Sequence, residues 1–370
     1  MQFNDLGKQW NEIRDVCLKR VDELGKSGAY IGGKEVEDFE KQFANYVGTV
    51  DAVGVSNGTD GLKLALQALD LDERDTVIMP ANTFIADYIA VKQLPQKSKP
   101  TVVLVDHDDN FCIDVESLRK YYYAHNGVGR IVVIAVHLYG HSCDMTALSR
   151  LKEEKGFILI EDCSQAHGTK FFYDSDTINV GTIGDMSIFS LYPGKNLGAL
   201  GDAGIITTSN SKHAEKLRSL RNYGSSKKYY YDYIGHNNRL DPLQCIFLSE
   251  KLRRLDIWNS MKRRIATRYL KEIRNPNVIL PKVSCIHSFH VFCIMVNERE
   301  SFMKRMNDAG IPTLIHYPIP IHKTSVWEKS DIVFNSDRAD SCMDRIVSIP
   351  IHPFLSEDDV TLIVKMINQA

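Results

Sequence analysis

Residues 157–168, FILIEDCSQAHG, indicate the fold class of this 370-residue chain. The four apolar residues 157–160 predict a buried strand, and the polar run that follows contains Asp162. Strands that are buried on both faces are typical of parallel sheets covered by helices. In open α/β sheets, ligands bind beyond the carboxyl ends of the strands. The stretch therefore predicts one strand of an α/β domain, with Asp162 on the ligand side.

Further apolar runs rich in Val and Ile recur along the chain. Stretches with helical periodicity separate several of them, for example the spacing of Leu62, Leu66 and Leu69. This alternation predicts βαβ units and a mainly parallel sheet. The predicted strands cover residues 77–79, 101–105, 131–136, 157–160, 187–189 and 204–207.

The pattern changes after residue 240. A single long basic amphipathic helix is predicted over residues 242–270, followed by a strand at 290–296 and a helix at 299–308. We therefore expect a large domain over residues 1–245 that begins with a helical segment. A smaller C-terminal α+β domain is expected over residues 246–370.

Composition limits the function classes. Forty-five Lys and Arg balance 47 Asp and Glu, which leaves a formal charge of −2 and no electrostatic footprint for nucleic acid or an anionic membrane. No stretch reaches the length of apolar residues that a membrane helix requires. Eight cysteines without a CxxC pair favour reduced thiols over disulfides or a zinc ribbon. We expect a cytoplasmic protein.

The segment 56–61, SNGTDG, lies between an apolar run and a predicted helix. Backbone N–H groups at a helix N-terminus form an anion site, here at Gly58 and Thr59. The alternative is an ordinary N-cap by Asn57 or Thr59, which on this segment alone is favoured because most helices carry a cap.

Asp162 follows a buried strand, where a carboxylate is costly unless it faces a cation or a strong donor. One such partner is the protonated ring nitrogen of pyridoxal phosphate (PLP). The alternative is a helix N-cap at Asp162 or Ser164.

Lys195 lies in SLYPGKNLG, residues 190–198, between glycines and a proline at the mouth of the predicted sheet. Imine chemistry requires burial or nearby positive charge, because a free lysine with a pKa of about 10.4 is protonated. The segment is not a phosphate-binding Walker loop, since Asn196 replaces the Ser or Thr that would hold magnesium. The alternative is a solvated surface lysine.

Metal binding is the other chemistry that these strand ends suggest. The His and Cys residues there lack the spacing of zinc ligands, so we expect no metal site. They are His137, His141, Cys143, Cys163 and His167.

Together these segments resemble the DegT/DnrJ/EryC1/StrS family of sugar aminotransferases, over roughly residues 5–363. The resemblance implies PLP as cofactor and the fold of PLP fold type I, the aspartate aminotransferase-like fold. The motifs that carry it are SNGTDGLKLAL, PANTFIA, HLYG, IEDCSQAHG, FSLYPGKNLGALGDAG, LRNYGSSKKY, GHNNRLDPLQ and HYPIPIH.

The resemblance also implies catalytic roles. Lys195 matches the lysine that holds the cofactor and shuttles a proton, and Asp162 matches the carboxylate on the pyridine nitrogen. Other positions match cofactor contacts: Gln165 near the phenolic oxygen, Phe84 on the ring face, and Ser190, Gly58 and Thr59 around the phosphate. Asn237 matches an asparagine that reaches the phosphate of the neighbouring subunit, which implies a homodimer with shared active sites.

By the same resemblance, L-glutamate is the amino donor and a nucleotide-linked keto sugar is the acceptor. The narrower likeness is to enzymes that aminate a dTDP-3-keto-6-deoxyhexose at C3; amination of a 4-keto sugar at C4 is the alternative. Candidate substrate contacts are Tyr223, Lys228, Tyr229, His316 and Tyr317. The alternative for the segment that carries the first three is a surface loop packed on the partner subunit.

Three other function classes compete with this interpretation. A sugar dehydratase of the same fold would replace the lysine or add cluster-binding cysteines. A non-catalytic regulator would be expected to lose Lys195, Asp162 or Ser190, and all three are present. A dinucleotide-binding oxidoreductase would need GxGxxG after its first strand, which the sequence lacks.

Overall fold

Parallel strands and their covering helices dominate the computed structural model, which describes residues 1–95, 98–125 and 127–370. The strands are β1 (Asp51–Val55), β2 (Thr76–Pro80), β3 (Thr101–Val105), β4 (Ile131–Val136), β5 (Ile158–Asp162), β6 (Lys170–Tyr173), β7 (Asp176–Asn179), β8 (Met186–Ser190), β9 (Gly204–Thr208), β10 (Ser225–Lys227), β11 (Tyr230–Tyr231), β12 (Val278–Ile279), β13 (Phe292–Val296), β14 (Ile332–Val333) and β15 (Ile346–Ile349).

The helices begin with two that precede the first strand and end at the C-terminus. They are α1 (Leu6–Ser27), α2 (Lys34–Val47), α3 (Gly58–Ala68), α4 (Ala86–Lys92), α5 (Val115–Ala124), α6 (Met145–Lys155), α7 (Ser211–Leu220), α8 (Pro242–Leu252), α9 (Leu255–Glu272), α10 (Arg299–Asp308), α11 (Asp337–Cys342) and α12 (Glu357–Gln369). Within the described ranges, none of them has the length and apolar character needed to cross a membrane.

The large sheet has the strand order β1-β9-β8-β5-β4-β2-β3-β14. Its pairs from β8 through β14 are parallel, whereas β9 runs antiparallel to both β1 and β8. The predicted α/β class with a mainly parallel sheet is therefore confirmed.

Alternate residues of the central strands enter different apolar clusters. Val77 and Met79 of β2 pack on one face of the sheet, and Ile78 packs on the other. Successive side chains of a strand point to opposite faces, so a strand covered on both sides must be apolar throughout. This is why the six predicted strands read as continuous apolar runs, and each agrees with an observed strand to within two residues.

A second sheet, β12-β13-β15, lies in the C-terminal part of the chain. It shares a separate apolar cluster with helices α9, α10 and α12, which includes Tyr269, Phe292, Met306 and Val360. The predicted helix over residues 299–308 coincides with α10, and the strand predicted at 290–296 contains β13. The domain boundary at residue 245 remains a prediction.

The single helix predicted over residues 242–270 is wrong. Two helices, α8 and α9, meet there, and Arg253 and Arg254 lie between them. The Arg254 guanidinium donates to the backbone oxygens of Glu250 and Glu12, at 3.0 and 3.3 Å. These bonds satisfy carbonyl groups at the end of α8 and tie the junction to helix α1.

Candidate active site

A cavity of about 760 Å³ lies beyond the carboxyl ends of the parallel strands. The sheet register pairs Val136 with Asp162 and Asp162 with Ile188, so β4, β5 and β8 end side by side. Many predicted site residues line this one cavity: Gly58, Thr59, Phe84, Asp162, Gln165, Ser190, Lys195, His316 and Tyr317.

Helix α3 begins at the cavity wall. The Asn57 side chain accepts the backbone N–H of Asp60 at 2.8 Å, so Asn57 is the N-cap. The N–H groups of Gly58 and Thr59 come earlier in the helix and have no intrahelical acceptor. The cap and the anion site are therefore compatible, because the cap uses a different N–H group.

Two glycines let this helix approach the sheet. A side-chain carbon at Gly58 would lie 2.7 Å from Cβ of Ser190, and one at Gly204 would lie 2.6 Å from the backbone of Asn57. Gly204 pairs with Val55 on one side and with Ser190 on the other. Small residues at both positions bring the helix N-terminus next to the Ser190 hydroxyl.

Lys195 sits on a closed loop. The Ala199 N–H donates to the carbonyl of Leu191, and the Lys195 N–H donates to that of Tyr192, both at 2.8 Å. Burial lowers the pKa of the Lys195 ammonium to about 8, although Asp162 and then Asp87 oppose the shift. Lys195 therefore lies inside the cavity as an amine that is easily deprotonated, not on an open surface.

Asp162 ends strand β5 and is nearly buried. Its Oδ1 accepts the N–H of Ser164 at 2.8 Å, but residues 163–168 form turns, so the helix N-cap interpretation is wrong. Asp87 on α4 is fully buried beside it, and its Oδ2 accepts the Thr83 hydroxyl at 2.7 Å. Burial and the Asp162 carboxylate raise the pKa of Asp87 well above its usual range, which favours its protonated form.

Gln165 has both ends of its amide fixed. Its Oε1 accepts the N–H of Tyr139 at 2.8 Å, and its Nε2 donates to the Tyr317 hydroxyl at 2.9 Å. The ring of Tyr317 lies 5.2 Å from that of Phe84, between centroids. Gln165, Tyr317 and Phe84 line one wall of the cavity. The side chain of Phe84 is 47% exposed.

The histidines around Lys195 are neutral at pH 7. Burial, and then the charge of Lys195, lowers the pKa of His316 to about 4 and that of His167 to about 3. His316 shares a hydrogen bond of 2.8 Å between its Nδ1 and the Ser348 hydroxyl. The positive charge of the cavity therefore comes from Lys195 and from the N-terminus of α3.

Four predicted residues do not line this cavity: Tyr223, Lys228, Tyr229 and Asn237. They lie on residues 221–239, which include the hairpin of β10 and β11. Tyr229 is 76% exposed, and Asn237 is exposed as well. Within one chain, these residues are separated from the cavity to which they were assigned.

His137, Glu161 and Cys163 form a buried cluster close enough to share a metal ion. His137 Nε2 is 2.9 Å from Glu161 Oε2, and its Nδ1 accepts the N–H of Cys143 at 3.1 Å. Glu161 also accepts three backbone N–H groups, those of Gly181, Ile183 and Gly184. Hydrogen bonds within the protein thus already occupy the atoms of His137 and Glu161 that would bind a metal ion.

Sequence reasoning missed several residues of this site. Asp87 was detectable as a lone carboxylate in the apolar run after PANTF, whereas His290 stands before strand β13, far along the chain. The missed residues that line or adjoin the cavity include Thr83, Asp87, Tyr139, Tyr192 and His290.

Comparisons with known proteins show the family of this chain. Residues 11–368 match the model of the DegT/DnrJ/EryC1/StrS aminotransferase family. The dTDP-3-amino-3,6-dideoxy-alpha-D-galactopyranose transaminase of Aneurinibacillus thermoaerophilus is 42% identical, over 93% of this chain and 92% of that protein. The dTDP-3-amino-3,4,6-trideoxy-alpha-D-glucose transaminase of Streptomyces venezuelae is 35% identical, over 99% and 95%.

Solved structures resemble the whole fold. The crystal structure of DesV from S. venezuelae superposes with a TM-score of 0.91 at 34% identity, covering 100% of this chain and 97% of that one. The structure of NtdA from Bacillus subtilis with bound cofactor PMP superposes with a TM-score of 0.85 at 26% identity, covering 97% and 82%.

Proposed function

Because the chain belongs to the DegT/DnrJ/EryC1/StrS aminotransferase family and is a PLP-dependent aminotransferase, we propose that it aminates C3 of a dTDP-linked 3-keto-6-deoxyhexose with L-glutamate as donor. The observation that carries the proposal is the pairing of Lys195 and Asp162 in one cavity beside the N-terminus of α3. A lysine of lowered pKa, a carboxylate and an anion site are the three groups that PLP needs.

The residues present fit the cofactor. A phosphate would be held by the N–H groups of Gly58 and Thr59 and by the Ser190 hydroxyl, which the two glycines bring together. Asp162 offers a carboxyl group at the end of β5, in a position suited to a protonated ring nitrogen. Phe84 and Gln165 supply an aromatic face and a fixed amide on the cavity wall.

When bound, PLP supplies an electron sink for the pair released as a C–H bond of the donor breaks. Lys195 accepts and returns that proton at its Nζ. Burial lowers the pKa of Lys195 to about 8, which favours the neutral amine that can accept a proton. Burial and the neighbouring Asp162 raise the pKa of Asp87, which favours a neutral carboxyl group beside the residue that faces the cofactor.

The names of the two relatives support a dTDP-linked 3-keto sugar as the acceptor. Both are transaminases of dTDP-3-amino sugars, and the alignments cover at least 92% of each protein. The product then carries an amine at C3 of a 6-deoxyhexose, and L-glutamate leaves as 2-oxoglutarate. His316 and Tyr317 line the cavity and would contact the sugar.

Exposure supports a homodimer with shared sites. The segment 221–239 presents Tyr223, Tyr229, Tyr230, Tyr231 and Ile234 to solvent, and Ile234 is 87% exposed. Apolar surface of this extent is typical of an interface. In the proposed dimer, Asn237 reaches the cofactor phosphate of the partner subunit, and Tyr223, Lys228 and Tyr229 contact the diphosphate. We place the enzyme in the cytoplasm.

The first test is the visible absorption spectrum of the protein with PLP, before and after L-glutamate. We expect a band for lysine-bound cofactor that glutamate converts to the amino form. Lys195→Ala should show no such band, and Lys329→Ala, which changes an exposed lysine outside the cavity, should behave as wild type. A wild-type band that ignores every amino donor would instead favour a regulatory role.

The second test is NMR of the product from a dTDP-3-keto-6-deoxyhexose. An amine at C3 is expected. An amine at C4 of a 4-keto substrate, with no reaction of the 3-keto sugar, would overturn the regiochemistry but keep the aminotransferase. Loss of a hydroxyl group without amination would indicate a dehydratase.

A further inference from the structure

Behind Lys195 lies a small polar network centred on Asn196. The Asn196 Nδ2 donates to Oδ1 of Asn259 and to the carbonyl of Ser288, both at 2.8 Å. Both partners are acceptors at this contact, so the amide orientation of Asn196 is fixed. Its Oδ1 therefore faces the remaining neighbours and can only accept.

Two side chains meet that oxygen. Lys262 Nζ donates to Asn196 Oδ1 at 3.1 Å, and His290 Nδ1 lies 3.3 Å from the same atom. Since the oxygen cannot donate, the hydrogen of this contact belongs to His290 Nδ1. In the neutral ring Nε2 is then unprotonated and acts as an acceptor.

The surroundings keep the ring neutral. The titratable groups that lower the pKa of His290 include Lys195, Lys262, His316 and His167. Burial, and then these basic groups, lowers the pKa of His290 well below its usual range. Lys262 is itself buried and bonded to Asn196, which places a fixed donor and a potential positive charge behind the ring.

His290 lines the cavity beside Lys195. Among the hydrogen bonds of the described residues, none engages its Nε2. The position of the residue is set by its chain neighbour, because the Val291 N–H donates to the carbonyl of Tyr139 at 3.2 Å. The cavity therefore offers a fixed, neutral nitrogen acceptor near the reacting centre.

We propose that Nε2 of His290 accepts a hydrogen bond from a sugar hydroxyl next to the carbon that is aminated, and that Asn196 and Lys262 are positioning residues that hold the ring in this tautomer. The inference rests on the proposed function, because it assumes a keto-sugar acceptor. Chemistry distinguishes the two substrates: glutamate brings carboxylates, which only accept hydrogen bonds, whereas the sugar brings hydroxyl donors. An acceptor-only nitrogen is matched to the sugar.

The test separates the two half-reactions of the holoenzyme by stopped-flow absorption. In His290→Phe, we expect conversion by L-glutamate to stay within about twofold of wild type. Amination of the dTDP-keto sugar should slow about 10- to 100-fold at subsaturating sugar, because a buried hydroxyl loses its partner. His287→Phe is the matched control: His287 is buried on the same segment, stacks on Phe289 and does not line the cavity.

Two readouts distinguish this role from a structural one. In Lys262→Met, the sugar half-reaction relative to wild type should fall more at pH 6 than at pH 8, because loss of the Lys262 charge removes one of the causes that lower the pKa of His290, after burial and Lys195. A long-range 1H–15N spectrum of histidine-labelled holoenzyme should show a neutral ring protonated at Nδ1, assigned by its loss in His290→Phe.

Equal slowing of both half-reactions in His290→Phe would overturn the inference. It would mean that the ring acts through Lys195 or through local packing and not on the sugar. Wild-type kinetics in His290→Phe, or a ring protonated at Nε2, would overturn it too. Failure of the proposed function looks different, because wild-type enzyme would then leave every dTDP-keto sugar unreacted while the spectrum of His290 still reports its tautomer.

Discussion

At the residue scale, two buried carboxyl groups, those of Asp162 and Asp87, lie side by side. Burial and then Asp162 raise the pKa of Asp87, which favours its neutral form. Asp87→Asn keeps a neutral group that can still accept from Thr83, so we expect turnover within a few-fold of wild type. Asp162→Asn removes the charge and should lower kcat about 100- to 1000-fold. Steady-state kinetics of the pair checks this, and equal damage by both changes would contradict it.

The pKa of Lys195 predicts a pH dependence for cofactor capture. Only the neutral amine attacks an aldehyde, and burial lowers the pKa of Lys195 to about 8. Because the shift is downward, the neutral form accumulates as pH rises through 8. The rate at which cofactor-free protein captures PLP should therefore rise about tenfold per unit below pH 8 and level off above it. Stopped-flow absorption measures this rate, and a rise that continues to pH 10 would mean an ordinary lysine.

At the element scale, the N-terminus of α3 depends on Gly58. In Gly58→Ala, the new Cβ would start 2.7 Å from Cβ of Ser190, so helix and strand must separate. We expect PLP to bind about 10- to 100-fold more weakly, because the N–H groups and the hydroxyl no longer converge. Fluorescence titration with PLP measures this. Gly25→Ala in helix α1, where nothing lies within 4 Å, is the control and should leave binding unchanged.

Strands that show as continuous apolar runs could be predicted from the sequence. Features that depend on contacts between distant parts of the chain could not. Continuous apolar runs identified six strands of the large sheet, because both faces of each are covered. The break between α8 and α9 has no glycine or proline to mark it and depends on contacts of Arg254 with Glu250 and Glu12. For the same reason, Asp162 at the end of β5 and Lys195 on the loop after β8 were identified, whereas His290, which precedes β13 of the other sheet, was missed.

At the scale of the whole molecule, the cavity and the segment 221–239 can form one active site only if two chains associate as a dimer. Asn237 is exposed and does not line the cavity of its own chain, and its neighbour Ile234 is almost wholly exposed. Cyclic dimers place the same surface patch of each subunit against the other. A residue near that interface can therefore complete the partner's site, which makes its function testable by mixing two defective chains.

Mixed dimers of Lys195→Ala and Asn237→Asp provide that test. Each homodimer should be nearly inactive, the first without the amine and the second with a carboxylate against the cofactor phosphate. In a mixed dimer with shared sites, one site carries both lesions and the other carries neither. Random exchange then restores about a quarter of wild-type activity, since half of the dimers are mixed and half of their sites are intact. If Asn237 served its own chain, every site would carry one lesion and co-expression would restore none, so assays of differently tagged, co-purified dimers distinguish the two arrangements.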